Sequence, residues 1–139
     1  MPLNLIKLCV GVEDVAQLER YQSRRLARGE RLVHRTRMMP RRAGELLDGG
    51  SLYWVIRGRV RVRQRLLAIE RIYDREGRSF ALLVLAPELV RTLPRPHRAF
   101  QGWRYLPAAD APADLGTAPA DAPDMPLDMV TALRALGLL

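Results

Sequence analysis

The sequence predicts a single α+β domain built on a small mixed or barrel-like sheet with two or three helices. Three observations carry this. Apolar, β-branched runs bounded by glycine or turn residues recur from LNLIKLCV near the start to FALLVLA at residues 80–86. Helical spacing is sustained over only one long segment, VEDVAQLERYQSRRLAR. The chain has 139 residues, 48% of them hydrophobic, which is enough for one modest core and too little for two domains.

Taken in order, LNLIKLCV (3–10) reads as a largely buried first strand ended by Gly11. Val15, Leu18, Tyr21, Arg25 and Leu26 then recur at spacings of three and four. Glu13 and Asp14 at the start and Arg24, Arg25 and Arg28 at the end suit the helix dipole, giving a helix over 13–28 stopped by Gly29. LVHRTRM (32–38) is a second strand. Pro40 suits a first helical position, and PRRAGELLD runs into Gly49 and Gly50, which predicts a short helix. The next segment, SLYWVIRGRVRVRQRLLAIERIYD, is too long for one straight strand; Gly58 predicts a long bent strand or two strands meeting near Arg57 to Arg59. DREGR is a turn and FALLVLA a buried returning strand. PELVRTLPRPHRAFQGWRYLP, rich in proline, is expected to run over the surface, with a last strand near Gln101 to Leu106.

The domain therefore covers residues 1–107. Residues 108–124, built from Ala, Pro and Asp, read as a linker without the apolar surface to order itself. In 125–139, Leu127, Val130, Leu133 and Leu136 recur helically, predicting a C-terminal amphipathic helix that docks on the body.

Charge is uneven: residues 1–107 carry +12 and 108–139 carry −4, for a net +8. A basic body attracts phosphate backbones and other polyanions. Of the cations of the whole chain, 22 are Arg and one is Lys, an excess that GC-rich coding also produces. No apolar run reaches the roughly 18 residues of a membrane span, and the start lacks a signal-peptide pattern, so the expected location is the cytoplasm, away from membranes. One cysteine, Cys9, excludes an internal disulfide.

The catalytic constellations are missing. His34 and His97 stand at no metal-ligand spacing from Cys9 or a carboxylate, no phosphate-loop or nucleophile-elbow pattern occurs, and no carboxylate pair stands out. No metal, cofactor or catalytic residue is assigned. What remains is binding. In RGRVRVRQR, Arg57, Arg59, Arg61, Arg63 and Arg65 alternate with Gly58, Val60, Val62 and Gln64; on a strand this gives one cationic face suited to a polyanion, or a plain solvated face. Trp103 and Arg104 join them as candidate nucleic-acid contacts. Tyr53, Trp54 and Tyr105 are aromatics able to stack a base, though each also fits a core. Arg37, Arg41 and Arg42 surround the start of the helix predicted at Pro40 and form a candidate anion site.

Three separated blocks, LIKLCVGVEDV, TRMMPRRAGELLDGGSLYWVIRG and FQGWRYL, resemble a domain family of unknown function found in small alphaproteobacterial proteins. The resemblance covers residues 3–107 and implies no activity. In the order of its elements the chain is also similar to PUA-like β-barrels, including ASCH and EVE domains, which implies binding of RNA or modified bases. The expectation is an RNA-binding or other nucleic-acid-binding protein. The alternatives are an enzyme or binder acting on a small anionic metabolite or modified nucleotide, using Arg37 to Arg42, and a protein-interaction module contacting partners through its C-terminal helix. Nothing in the sequence sets the oligomeric state.

Overall fold

The computed structural model describes residues 2–115. In chain order the elements are β1 (Leu3–Leu8), α1 (Val15–Ala27), β2 (Leu32–Thr36), α2 (Ala43–Leu46), β3 (Ser51–Ile56), β4 (Arg59–Tyr73), β5 (Ser79–Leu85), β6 (Val90–Pro96) and β7 (Trp103–Pro107), followed by a 3-10 turn at Ala108–Asp110. The strands form a mixed seven-stranded sheet in the order β2-β5-β4-β3-β1-β7, with β6 added against β4. β1 and β3 run parallel and all other pairs antiparallel. The chain is thus an α+β protein with a mixed sheet and few helices.

β4 explains how one sheet serves two purposes. Its first part, Arg59 to Arg65, pairs with β3 and β6, and from Leu66 onward it pairs with β5. β3 and β4 do meet at Gly58. Arg57 (φ 51°) and Gly58 (φ 79°) both adopt left-handed backbone, the pattern of a tight hairpin whose twist matches its strands. β6 was expected to be irregular because of Pro94 and Pro96. It is instead an outer strand, where a residue without an N–H is tolerated.

α1 opens on a reciprocal cap: the Gln17 N–H donates to the Asp14 carboxylate at 2.7 Å, and the Glu13 N–H donates to the Gln17 side-chain oxygen at 2.7 Å. Its buried face carries Val15, Leu18 and Gln22, whereas Tyr21 and Leu26, expected on the apolar stripe, face solvent. The reason is an amide pair. Gln22 and Gln64 exchange hydrogen bonds at 2.9 and 2.8 Å; Gln64 also donates to the Ala86 carbonyl at 3.0 Å and accepts from the Trp54 indole N–H at 2.9 Å. Four bonds satisfy the fully buried Gln64. They seat the helix on the sheet at one rotation.

Two cores lie on the faces of the sheet. Leu5, Leu18, Leu52, Trp54, Ile56, Val62 and Leu83 belong to the larger, under α1; Ile6, Tyr53, Val55, Val60 and Leu106 form the smaller. The helix expected from Pro40 is only four residues long. Gly50, which follows it, lies so close to backbone that a Cβ would collide with the carbonyl oxygens of Leu3 and Leu46.

Residues 108–115, expected to begin the linker, lie along the outer edge of β6. Leu93 N–H donates to the Ala113 carbonyl at 2.8 Å, and Thr92 bridges Asp114. The rest of the predicted linker, 116–124, and the predicted helix with Leu127, Val130, Leu133 and Leu136 fall outside the described residues. Among the described residues no helix is long and apolar enough to cross a membrane.

Candidate functional site

The alternating arginines do not form one stripe. In β4 the partner of Trp54 is Val62 and the partner of Val55 is Val60, so Arg61 is an extra residue, a β-bulge. A bulge exchanges the faces of everything beyond it. Arg59 pairs with Ile56, on the face covered by α1, while Arg63 pairs with Tyr53, on the other. Val60 and Val62 accordingly enter different cores. The expected common cationic face is corrected to two groups.

The first group gathers around the hairpin. Arg57 is exposed at its tip; Arg59 and Arg61 are half-buried beside it. Arg61 has its guanidinium pKa lowered by burial and then by the charges of Arg59, Arg57 and Arg91. Arg91 is paired with Glu19 of α1 at 2.8 Å, but Arg57, Arg59 and Arg61 have no carboxylate partner among the described residues. In the second group, Arg63 makes a bidentate pair with Asp114 at 2.8 and 2.6 Å and donates to the Ser51 hydroxyl at 3.1 Å; the Asp114 pair raises its pKa and commits its charge to holding the 108–115 segment. Arg65 is exposed and unpaired among the described residues.

The predicted anion site is not assembled as a helix terminus. α2 is too short, and the Arg42 guanidinium grips Glu45 at 2.6 and 2.7 Å. Arg37 rests 5.4 Å from the centre of the Phe80 ring, behind Arg35 at 3.7 Å, and Arg41 is exposed. The aromatics are mostly structural. Tyr53 and Trp54 point into opposite cores. Trp103 and Tyr105 share a face as a T-shaped pair with centroids 4.8 Å apart. Together they brace the loop before α2: the Trp103 indole N–H donates to the Met38 carbonyl at 2.8 Å, and the Arg42 N–H donates to the Tyr105 hydroxyl at 3.1 Å. Arg104 lies opposite, its guanidinium over Phe100 and hydrogen-bonded to the Gln101 and Trp103 carbonyls.

Sequence reasoning missed a cleft of about 480 Å³ between α1 and β2. Leu18, Leu32, Leu85 and Trp54 line it, together with Cys9, His34, the exposed Tyr21 and the half-buried Arg25. His34 meets Trp54 edge to face with centroids 5.0 Å apart. Burial, then the nearby Lys7 charge, lowers its pKa to about 4, so the imidazole is neutral at pH 7. Burial raises the Cys9 thiol to about 11 against the opposing pull of Lys7, leaving it protonated and inert. Among the described residues no cluster of His, Cys, Asp and Glu could hold a metal. The helical pattern of Tyr21 and Arg25 was legible; that they rim a cavity depends on β2, whose position the local sequence does not encode.

Fold and site together define a small α+β protein with an arginine cluster at one hairpin, unpaired among the described residues, and a separate apolar cleft. The chain belongs to the DUF1489 family, described as proteins of unknown function, whose family model matches residues 5–139. Comparison with curated proteins and with solved structures gives no match.

Proposed function

We propose that this protein binds RNA or another nucleic acid through Arg57, Arg59 and Arg61, acting on phosphate groups. The observation that carries the reading is electrostatic. Six arginines elsewhere, Arg28, Arg31, Arg42, Arg63, Arg78 and Arg91, have carboxylate partners, while these three crowd together with none among the described residues. Mutual repulsion opposes folding, and a polyanion reverses its sign. Arg57 adds to this, because a left-handed backbone position favours Gly or Asn, and an arginine there costs stability with no side-chain hydrogen bond or ion pair among the described residues. The mixed sheet, in which β4 passes from β3 and β6 to β5, is in keeping with a PUA-like relation, and the single buried, protonated thiol suits a reducing cytoplasm.

The test is binding of a 20-nucleotide single-stranded RNA of mixed sequence, followed by fluorescence anisotropy from 50 to 200 mM salt. Replacing Arg57, Arg59 and Arg61 by Gln should weaken binding and reduce the log–log salt slope by about 2, at roughly 0.7 per phosphate contact. Arg31→Gln, at an arginine paired with Glu70, should leave the slope alone. Equal slopes for the triple variant and the parent would refute the assignment. A small-ligand reading is favoured separately by the cleft.

A further inference from the structure

The cleft between α1 and β2 plays no part in the arginine cluster, and its chemistry is different. Its volume of about 480 Å³ suits a small molecule better than a chain of phosphates. Its floor is rigid, since the Trp54 indole is tied to Gln64 at 2.9 Å and Leu18, Leu32 and Leu85 are core residues. At its lip stand Tyr21, 56% exposed, and Val10, 80% exposed, apolar surface left in water.

Two features select a ligand. Arg25 is the charged side chain lining the cleft, and no carboxylate lines it among the described residues. Arg25 meets Tyr21 through a 3.4 Å bond to its hydroxyl and with the guanidinium 5.1 Å from its ring centre, and among the described residues its other donors make no hydrogen bond. The second feature is His34 Nε2, buried and without a hydrogen-bond partner among the described residues. A buried polar atom left unpaired is unfavourable, and a polar ligand atom brought to that nitrogen removes the cost while the ring keeps its edge-to-face contact with Trp54. The aromatic rings of Trp54, Tyr21 and His34 favour a flat partner.

We propose that this cleft binds a flat apolar acid: a conjugated ring system packed against Trp54 and the leucines, meeting His34 with a polar ring atom and presenting one carboxylate, sulfonate or phosphate to Arg25. Because the imidazole is neutral, it serves as donor or acceptor according to tautomer, and the anionic group is left to the rim arginine.

The full-length protein titrated with 8-anilinonaphthalene-1-sulfonate, a ring system with one sulfonate, tests this. Saturable one-to-one binding is expected, with movement of the His34 ring resonances in a histidine-labelled NMR spectrum. Arg25→Gln, at the half-buried rim of the cleft, should raise the dissociation constant at least about fivefold with little change in the melting temperature of the free protein. Tyr21→Ala should weaken binding as well. Absence of saturable binding would overturn the proposal, as would binding that leaves His34 unmoved and is indifferent to Arg25→Gln. Release of the dye as the protein is concentrated would assign the cleft to a second copy and overturn it equally.

Discussion

Replacing Gln64 by Leu perturbs the junction between α1 and the sheet with almost no change in volume. Gln64 is fully buried and makes four hydrogen bonds, to Gln22 twice, to Trp54 and to the Ala86 carbonyl. After substitution the Trp54 N–H stays buried without a partner and the Ala86 carbonyl loses its donor, while Gln22, at the edge of the cleft, can turn its amide toward water. Each buried group left unpaired costs about 1–3 kcal/mol, and the added apolar contact returns roughly 1–2 kcal/mol. The net loss expected is about 2–4 kcal/mol, a large share of the roughly 5–15 kcal/mol of a typical domain. Urea unfolding at pH 7, followed by circular dichroism and tryptophan fluorescence, measures it directly. The double variant Gln22→Leu with Gln64→Leu should be more stable than the sum of single effects predicts, because removing both amides leaves fewer groups stranded. A single-variant loss under about 1 kcal/mol, or strict additivity, would show that the amide pair does not hold the helix.

Other expectations follow from particular residues. Arg57→Asn, at a turn position that favours Asn, should raise the urea midpoint by an amount corresponding to about 0.5–1 kcal/mol while weakening RNA binding; a lowered midpoint would contradict the strain assigned to this position. Acid should destabilise the protein through His34. Its folded pKa of about 4 lies below the ordinary 6.5, so as pH falls the unfolded chain takes up the proton first, and stability that is complete above pH 6.5 declines toward pH 4. Between pH 7 and 5 the loss should be on the order of 2 kcal/mol, measurable by urea unfolding at both values, and His34→Phe should flatten it.

Local patterns predicted local structure well. The apolar runs placed β1, β2, β3 and β5, the cap residues placed α1 within two residues at each end, and Gly58 marked the turn between β3 and β4. What failed depended on partners distant in sequence. The bulge at Arg61 arises where β4 must satisfy both β3 and β6, and nothing in RGRVRVRQR distinguishes it from regular strand. β6 was hidden by Pro94 and Pro96, whose exclusion from strands lapses at an outer position. Gly44 disfavours the predicted helix, and its N-cap Arg42 supplies no side-chain cap bond, leaving α2 as a single turn. For the site, the hairpin arginines were visible and their division between faces was not. The alternation set Gln64 on the face opposite the arginines, but its bond with Gln22 was not legible, because each finds its partner only across the helix–sheet interface.

The order in which the strands pair also bears on how the chain reaches this state. β3, β4 and β5 are joined by short turns and can zip from neighbouring residues within microseconds, as hairpins do. β1 has no such neighbour: Leu5 must find Leu52, and Leu3 must find Pro107 near the far end of the described chain. The ribosome therefore releases the first strand long before either of its flanking strands exists. During synthesis LNLIKL waits as an unpaired apolar edge, so the slow step of folding, and the moment of greatest exposure to aggregation, is its late insertion between β3 and β7.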